Sequence, residues 1–170
     1  MEPTEAKTIA DFLLATIERE IPTTTGVFGA VPTQDLSYRP HALSKTALQL
    51  LRHITLEDEW MLNAVADGRF APVPDDSDAS GVMTPSDAIA RYHQRMPLAI
   101  ARVRALSGDA LTREVDLLGM MQMPAIGFLS LMVRHSAHHR GQLSTHLRPM
   151  GGKAPSIYGP TADMETTVSA

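Results

Sequence analysis

His135 and His139 stand four residues apart, which on a helix puts two imidazoles on one face, one turn apart. An i, i+4 histidine pair is the spacing by which one helix face grips a divalent metal ion. With His135 set at 0° and each residue turning the helix by about 100°, His139 falls near ~40°, Phe128 and His146 near ~20°, Met132 near ~60° and Leu143 near ~80°. Ser130, Arg134, Ser144 and Arg148 fall on the far side. Both histidines therefore project from an apolar stripe, where unpartnered imidazoles are costly to bury. His53 and Glu57 repeat the anomaly, sharing a face with Leu50, Trp60, Met61 and Ala64. Two facing helices would offer three imidazoles and a carboxylate to one interior, as bundle proteins do when they build metal sites. His53, His135 and His139 are thus read as ligands of one divalent ion with at least one position left open. Three nitrogen ligands suit Zn(II), Ni(II) or Fe(II), and the chain has no cysteine to narrow the choice.

Glu57 could ligate, orient a ligand or act as a base, and the sequence does not choose. His93 shares a face with Ile89, Met96 and Ile100, which suits either a core position or a place behind the site, from which it could assist proton movement. His138 lies about 100° from the stripe centre and reads as a surface residue. His146 lies on the stripe but two turns from His139, so packing or pocket lining is its role. His41 falls in a loop and reads as structural. Trp60, Met61, Met120, Met121 and Met123 read as core or pocket wall.

The elements that must position these side chains repeat at helical spacing. Ile9, Phe12, Leu13, Thr16, Ile17 and Glu20 predict a first helix from Pro3 or Thr4, which Pro22 should kink or end, with a further helical piece to Ala30. Residues 31–40 read as a loop. Ser44 is the predicted N-cap of a second helix over 45–67, stopped by Gly68. Residues 71–83 form a solvated loop. Thr84-Pro85 opens a third helix to Leu106, with a kink or break expected at Pro97. A connection over 107–123, partly extended at 114–118, leads to a fourth helix from Pro124 to just before Pro149. Four long helices in one short chain predict an all-α fold, a four-helix bundle. The whole chain 1–170 reads as one domain, with its core over about 5–150 and an irregular tail over 151–170 that drapes over the bundle.

Composition limits the function. The chain has 170 residues, enough for one sizeable core, and its apolar fraction of 44% excludes a disordered segment. A net charge of −4 with scattered Lys and Arg argues against nucleic acid, which needs a basic face. No apolar run nears the ~20 residues that span a bilayer, so no membrane is expected. Met1-Glu-Pro-Thr-Glu5 is acidic and polar where a signal peptide would be basic and then apolar, so a cytoplasmic location is expected.

Leu36-Ser-Tyr-Arg-Pro-His41, Leu50-Leu-Arg-His53 and above all His135-Ser-Ala-His-His-Arg-Gly-Gln-Leu143 resemble the DinB-like superfamily. The following Leu147-Arg-Pro-Met-Gly-Gly-Lys-Ala-Pro-Ser-Ile-Tyr-Gly-Pro160 is similar to the tail of many members, and the resemblance runs over about residues 5–160. It implies a four-helix bundle of the DinB-like type, commonly a homodimer, with a metal on one histidine of the second helix and two of the fourth. Carried over, these are His53, His135 and His139. Arg140, Gly141 and Gln142 match the motif without an assigned chemistry, Gly141 being read as room for a neighbouring helix. The better-understood relatives are thiol-dependent transferases and isomerases that use low-molecular-weight thiols such as bacillithiol or mycothiol. The expected function is a metal-dependent enzyme, a thiol transferase or a hydrolase, that activates a thiol or a water. The alternative is a non-catalytic bundle in which the ion is structural.

Overall fold

The first four helices start where a side chain can satisfy free backbone N–H groups. Glu2 and Glu5 form a capping box at the start of α1 (Pro3–Gly29). Thr46 and Gln49 do the same for α2 (Ala47–Asp67), and Thr84 and Asp87 for α3 (Pro85–Arg104). Ser107 caps the short α4 (Gly108–Thr112), and α5 (Ala125–Leu147) follows a two-stranded antiparallel hairpin, β1 (Glu114–Asp116) and β2 (Gln122–Pro124). The computed structural model describes residues 1–164.

The cap of α2 is Thr46, not Ser44, because only Thr46 has Gln49 three residues on to return the bond. Gly68 ends that helix as expected, at φ 67° in the left-handed region that glycine enters freely. Pro22 and Pro97 do not end their helices. An interior proline costs on the order of 3 kcal/mol. Beyond Pro22 the chain buries Thr24, Thr25, Val27 and Phe28, and beyond Pro97 it buries Ala99, Ile100 and Val103. Each large apolar side chain among them returns about 1.5–3 kcal/mol on burial. The buried stripe of α1 is Ala6, Ala10, Leu14 and Ile17, rotated from the predicted one, so Ile9 and Phe12 face outward. Gly108 lets α4 rest on the start of α1, where a Cβ would stand 2.0 Å from the Pro3 carbonyl oxygen.

The four long helices pack in the ring α1–α3–α2–α5, so the first two in sequence lie across the diagonal. One core runs through the bundle, with Leu14, Phe28, Leu51, Ile54, Met96, Ile100, Phe128 and Leu129 among its fully enclosed side chains. The loop 71–83 is polar as expected, yet buried Arg52 anchors it, donating from Nε to the Val82 carbonyl at 2.7 Å and from Nη2 to Asp78 Oδ1 at 2.6 Å. From Gly151 to Met164 there is neither helix nor strand, and Ala154 and Ile157 lie against the core. The predicted tail continues into 165–170, which lie outside the described residues. Among the described residues no helix is long and apolar enough to cross a membrane.

Candidate metal centre

Because α2 and α5 are neighbours in the ring, the polar positions of their buried faces meet. His53 projects from α2 and His135 and His139 from α5, each half-buried, with one ligand atom of each lying within 4.8 Å of the others. His53 Nε2 and His139 Nε2 are 2.9 Å apart. Zinc–nitrogen bonds of 2.0–2.1 Å in a tetrahedron set their nitrogens ~3.3 Å apart. This pair therefore needs to open by only a few tenths of an ångström to hold an ion.

The outward nitrogens point the same way chemically. His53 Nδ1 meets Glu57 Oε1 at 2.8 Å, His139 Nδ1 meets Gln142 Oε1 at 2.8 Å, and His135 Nδ1 faces Asp58 Oδ1 at 3.8 Å. Ligating histidines are held by such partners, which fix the tautomer and leave Nε2 for the ion. The Asp58 contact is a charge contact at this length, and both its atoms are buried without a hydrogen bond. Tyr92, on α3, donates to the other oxygen of Asp58 at 2.8 Å and fixes that carboxylate from behind. Asp58 and Tyr92 escaped the sequence reading. In sequence Asp58 is the middle of the acidic run Glu57-Asp-Glu59, which looks like a solvated face.

Glu57 is brought into the cluster. Its second oxygen lies 3.2 Å from His135 Nε2, on the side where an ion would sit. Burial opposes ionisation of Glu57, but hydrogen bonds from His135 and His53, and their charge, outweigh it and hold the carboxyl at about 2. Burial likewise opposes charge on His135, while the Asp58 and Glu57 carboxylates overcome it and lift the imidazole to about 9. His139 is pushed down to about 4 by burial and by the surrounding imidazoles, against its bond to Gln142.

A proton dependence follows. In the metal-free chain His135 keeps a proton up to about 9, whereas His139 is neutral above about 4. An ion must displace that His135 proton, so apparent Zn(II) affinity should still rise about tenfold per pH unit from pH 7 through pH 8. A competition titration with a chromophoric chelator measures this slope. An affinity that levels off above pH 6.5 would remove the carboxylate-held proton from His135.

His93 is not part of the centre. It is exposed on α3, because the register of that helix is set by Ala88, Tyr92, Met96, Ala99 and Val103, which turns position 93 outward. His138 is exposed and touches the cluster only through its ring, 4.8 Å from that of His139. His146 is buried, set edge-on to Tyr38 with ring centroids 5.5 Å apart, and lines a cavity beside His139. His41 accepts a hydrogen bond from the Leu43 N–H in its loop. Gly141 makes no close approach, since a Cβ there would meet nothing within 4 Å. Its neighbour Arg140 is the buried member of the motif, donating to Thr24 Oγ1 at 2.8 Å and to Glu20 at 2.5 Å, and also bonding Tyr158.

The sequence pattern of the DinB superfamily matches residues 16–143. YjoA of Bacillus subtilis is 27% identical over 117 residues, covering 68% of this chain and 73% of that protein. The crystal structure of a DinB-like protein from Bacillus cereus superposes with a TM-score of 0.72 at 21% identity, covering 86% of this chain and 95% of that one. Bacillus subtilis YfiT, described as a probable metal-dependent hydrolase with an unusual four-helix bundle topology, superposes with a TM-score of 0.64 at 16% identity over 89% and 90% of the two chains.

Proposed function

As the chain belongs to the DinB superfamily, we propose that it is a metal-dependent enzyme holding one divalent ion on His53, His135 and His139 and activating a thiol or a water. The observation that carries this reading is the agreement of the three imidazoles. The Nε2 atoms gather, while each Nδ1 is met by its own carboxylate or amide. Three protein nitrogens are the catalytic pattern, since closed structural zinc sites take four ligands. Zn(II), Ni(II) and Fe(II) all suit the donor set. Such an ion, when bound, lowers the pKa of a coordinated thiol or water enough to make a nucleophile near neutral pH. Glu57, ionised and 3.2 Å from His135 Nε2, is placed to receive the proton that the nucleophile gives up. Asp58 and Gln142 keep the imidazoles oriented.

The thiol branch draws on the resemblance to thiol-dependent transferases, and the chain has no cysteine of its own to compete. The likeness to YfiT, described as a probable metal-dependent hydrolase, supports the water branch. In the Co(II)-substituted protein, a low-molecular-weight thiol should produce a sulfur-to-metal charge-transfer band in the near ultraviolet, and His53→Ala should abolish it. No spectral change with several thiols, in fully loaded protein, would remove the thiol branch and leave hydrolysis. A structural ion is the second reading, favoured by the reach of Glu57 as a fourth ligand. X-ray absorption showing four protein ligands and no exchangeable position would establish it.

The enzyme is further proposed to act as a homodimer. Phe12, on α1, is 67% exposed and Ile9 lies one turn before it, an apolar strip suited to a symmetric partner. Light scattering should give twice the chain mass of 18.5 kDa at micromolar concentration, and a mass equal to one chain would exclude the dimer.

A further inference from the structure

Two cavities reach the imidazole cluster, and one is the more apolar. The cavity beside His139, of about 370 Å³, mixes Pro40, Leu43 and Leu50 with Ser44, Lys45 and Thr145. The one beside His135 and Glu57, of about 230 Å³, is walled by Trp60, Met61, Leu117, Met120 and Leu131. In the second, polar side-chain atoms come from the floor, Glu57 and His135, because the indole N–H of Trp60 is spent on the Ala71 carbonyl at 3.0 Å.

We propose that this second cavity binds the apolar part of a small-molecule substrate, a single aromatic ring or a short alkyl chain, whose reactive end reaches the ion. The proposal rests on the metal-centre reading above. Size fits, since a cavity of about 150 Å³ already holds benzene. A built turn supplies one wall. The Leu117 N–H donates to the Met121 carbonyl at 2.8 Å, the Met120 N–H to the Leu117 carbonyl at 2.9 Å, and the Gly119 N–H to Asp116 Oδ2 at 2.9 Å. Leu118 in that turn has φ 50°, a left-handed conformation that non-glycine residues seldom adopt. The turn nonetheless carries three large exposed apolar side chains, Leu118 at 44%, Met120 at 68% and Met121 at 42%. Of this turn Leu117 and Met120 line the cavity, and an apolar cleft with a few convergent polar groups marks a ligand site. A floor made of Glu57 and His135 calls for an occupant with a polar head directed at the cluster and an apolar body behind it.

Fluorobenzene followed by ¹⁹F NMR tests the cavity whether or not metal is bound. Wild-type protein should broaden its signal, Leu131→Trp should abolish the broadening by filling the space, and Met120→Asp, at an exposed position, should weaken it severalfold. Alkyl hydroxamates from acetyl to hexanoyl, added to Zn(II)-loaded protein, test the link to the ion. Affinity should rise about threefold to fourfold per methylene in wild type and stay flat in Leu131→Trp. A flat series on loaded wild-type protein overturns the assignment and leaves the metal centre standing. Failure to take up metal overturns the earlier reading instead, and fluorobenzene then decides the cavity alone. Absence of broadening, or its loss as protein concentration rises because a second copy fills the cavity, overturns the proposal.

Discussion

His139→Ala should reduce bound Zn(II) or Ni(II) from about one ion per chain to a small fraction of one. The reason is that His139 Nε2 stands 2.9 Å from His53 Nε2 at the centre of the cluster, and alanine leaves two imidazoles to hold the ion. The loss should exceed the ~10–100-fold that removal of a supporting partner costs. His135→Ala should behave alike. Gln142→Ala and Asp58→Asn should fall within that smaller range, because they remove only the contacts that orient His139 and His135. His138→Ala should keep nearly full occupancy, its exposed ring only leaning on His139. Metal per chain after loading and desalting, with affinities from chelator competition, measures the series. Equal losses in His138→Ala and His139→Ala, or a wild-type chain that takes up no ion, would sink the assignment.

Arg140→Met should lower thermal stability sharply and leave the metal in place. Arg140 is only 1% exposed, and its guanidinium joins Thr24 and Glu20 of α1 to the Tyr158 hydroxyl of the tail. Methionine keeps much of the volume but leaves the Thr24 hydroxyl without this donor and the Glu20 carboxylate without its counter-charge, held only by the Tyr158 hydroxyl at 3.0 Å. Removing one partner of such a pair costs about 3 kcal/mol when Glu20 still has some access to water. At this chain length that corresponds to a fall in Tm of roughly 6–12 °C. Glu20→Gln combined with Arg140→Met should cost less than the sum of the single changes, since no charge is then stranded. Calorimetry gives the energies and metal analysis the occupancy. A Tm within 2 °C of wild type would show that the guanidinium is not what ties the tail to α1.

The candidate cluster of His53, His135 and His139 was legible because its anomaly is local. Histidines at i and i+4 inside an apolar stripe need only helical periodicity to be seen, and His53 with Glu57 repeats the signal on α2. That α2 and α5 are neighbours is a property of the ring, and the resemblance supplied it where the pattern could not. Asp58 was illegible for the same reason. It sits five positions from His53 and turns away from that face, and only Tyr92 on α3 shows that its side is also buried. His93 misled because Ile89, Met96 and Ile100 fit one stripe on α3 and Ala88, Tyr92, Met96 and Ala99 fit another, and packing against α1 and α2 selects the second. The option that Pro22 or Pro97 ends its helix failed because a local rule about one missing donor says nothing of the apolar side chains buried beyond it. In α1 a stripe of small residues, Ala6 and Ala10, won the interior over Ile9 and Phe12, since close helix approach favours alanine.

The ring α1–α3–α2–α5 also dictates an order of maturation. As the chain leaves the ribosome, α1 and α2 emerge before α3, yet in the ring neither packs on the other. α3 must emerge before either finds the neighbour it has in the fold. Even then His53 lacks the imidazoles of α5, because His139 lies 86 residues downstream. The candidate metal centre is therefore assembled only when α5 docks. A release-stalled chain ending at residue 123 should fold no metal site at all.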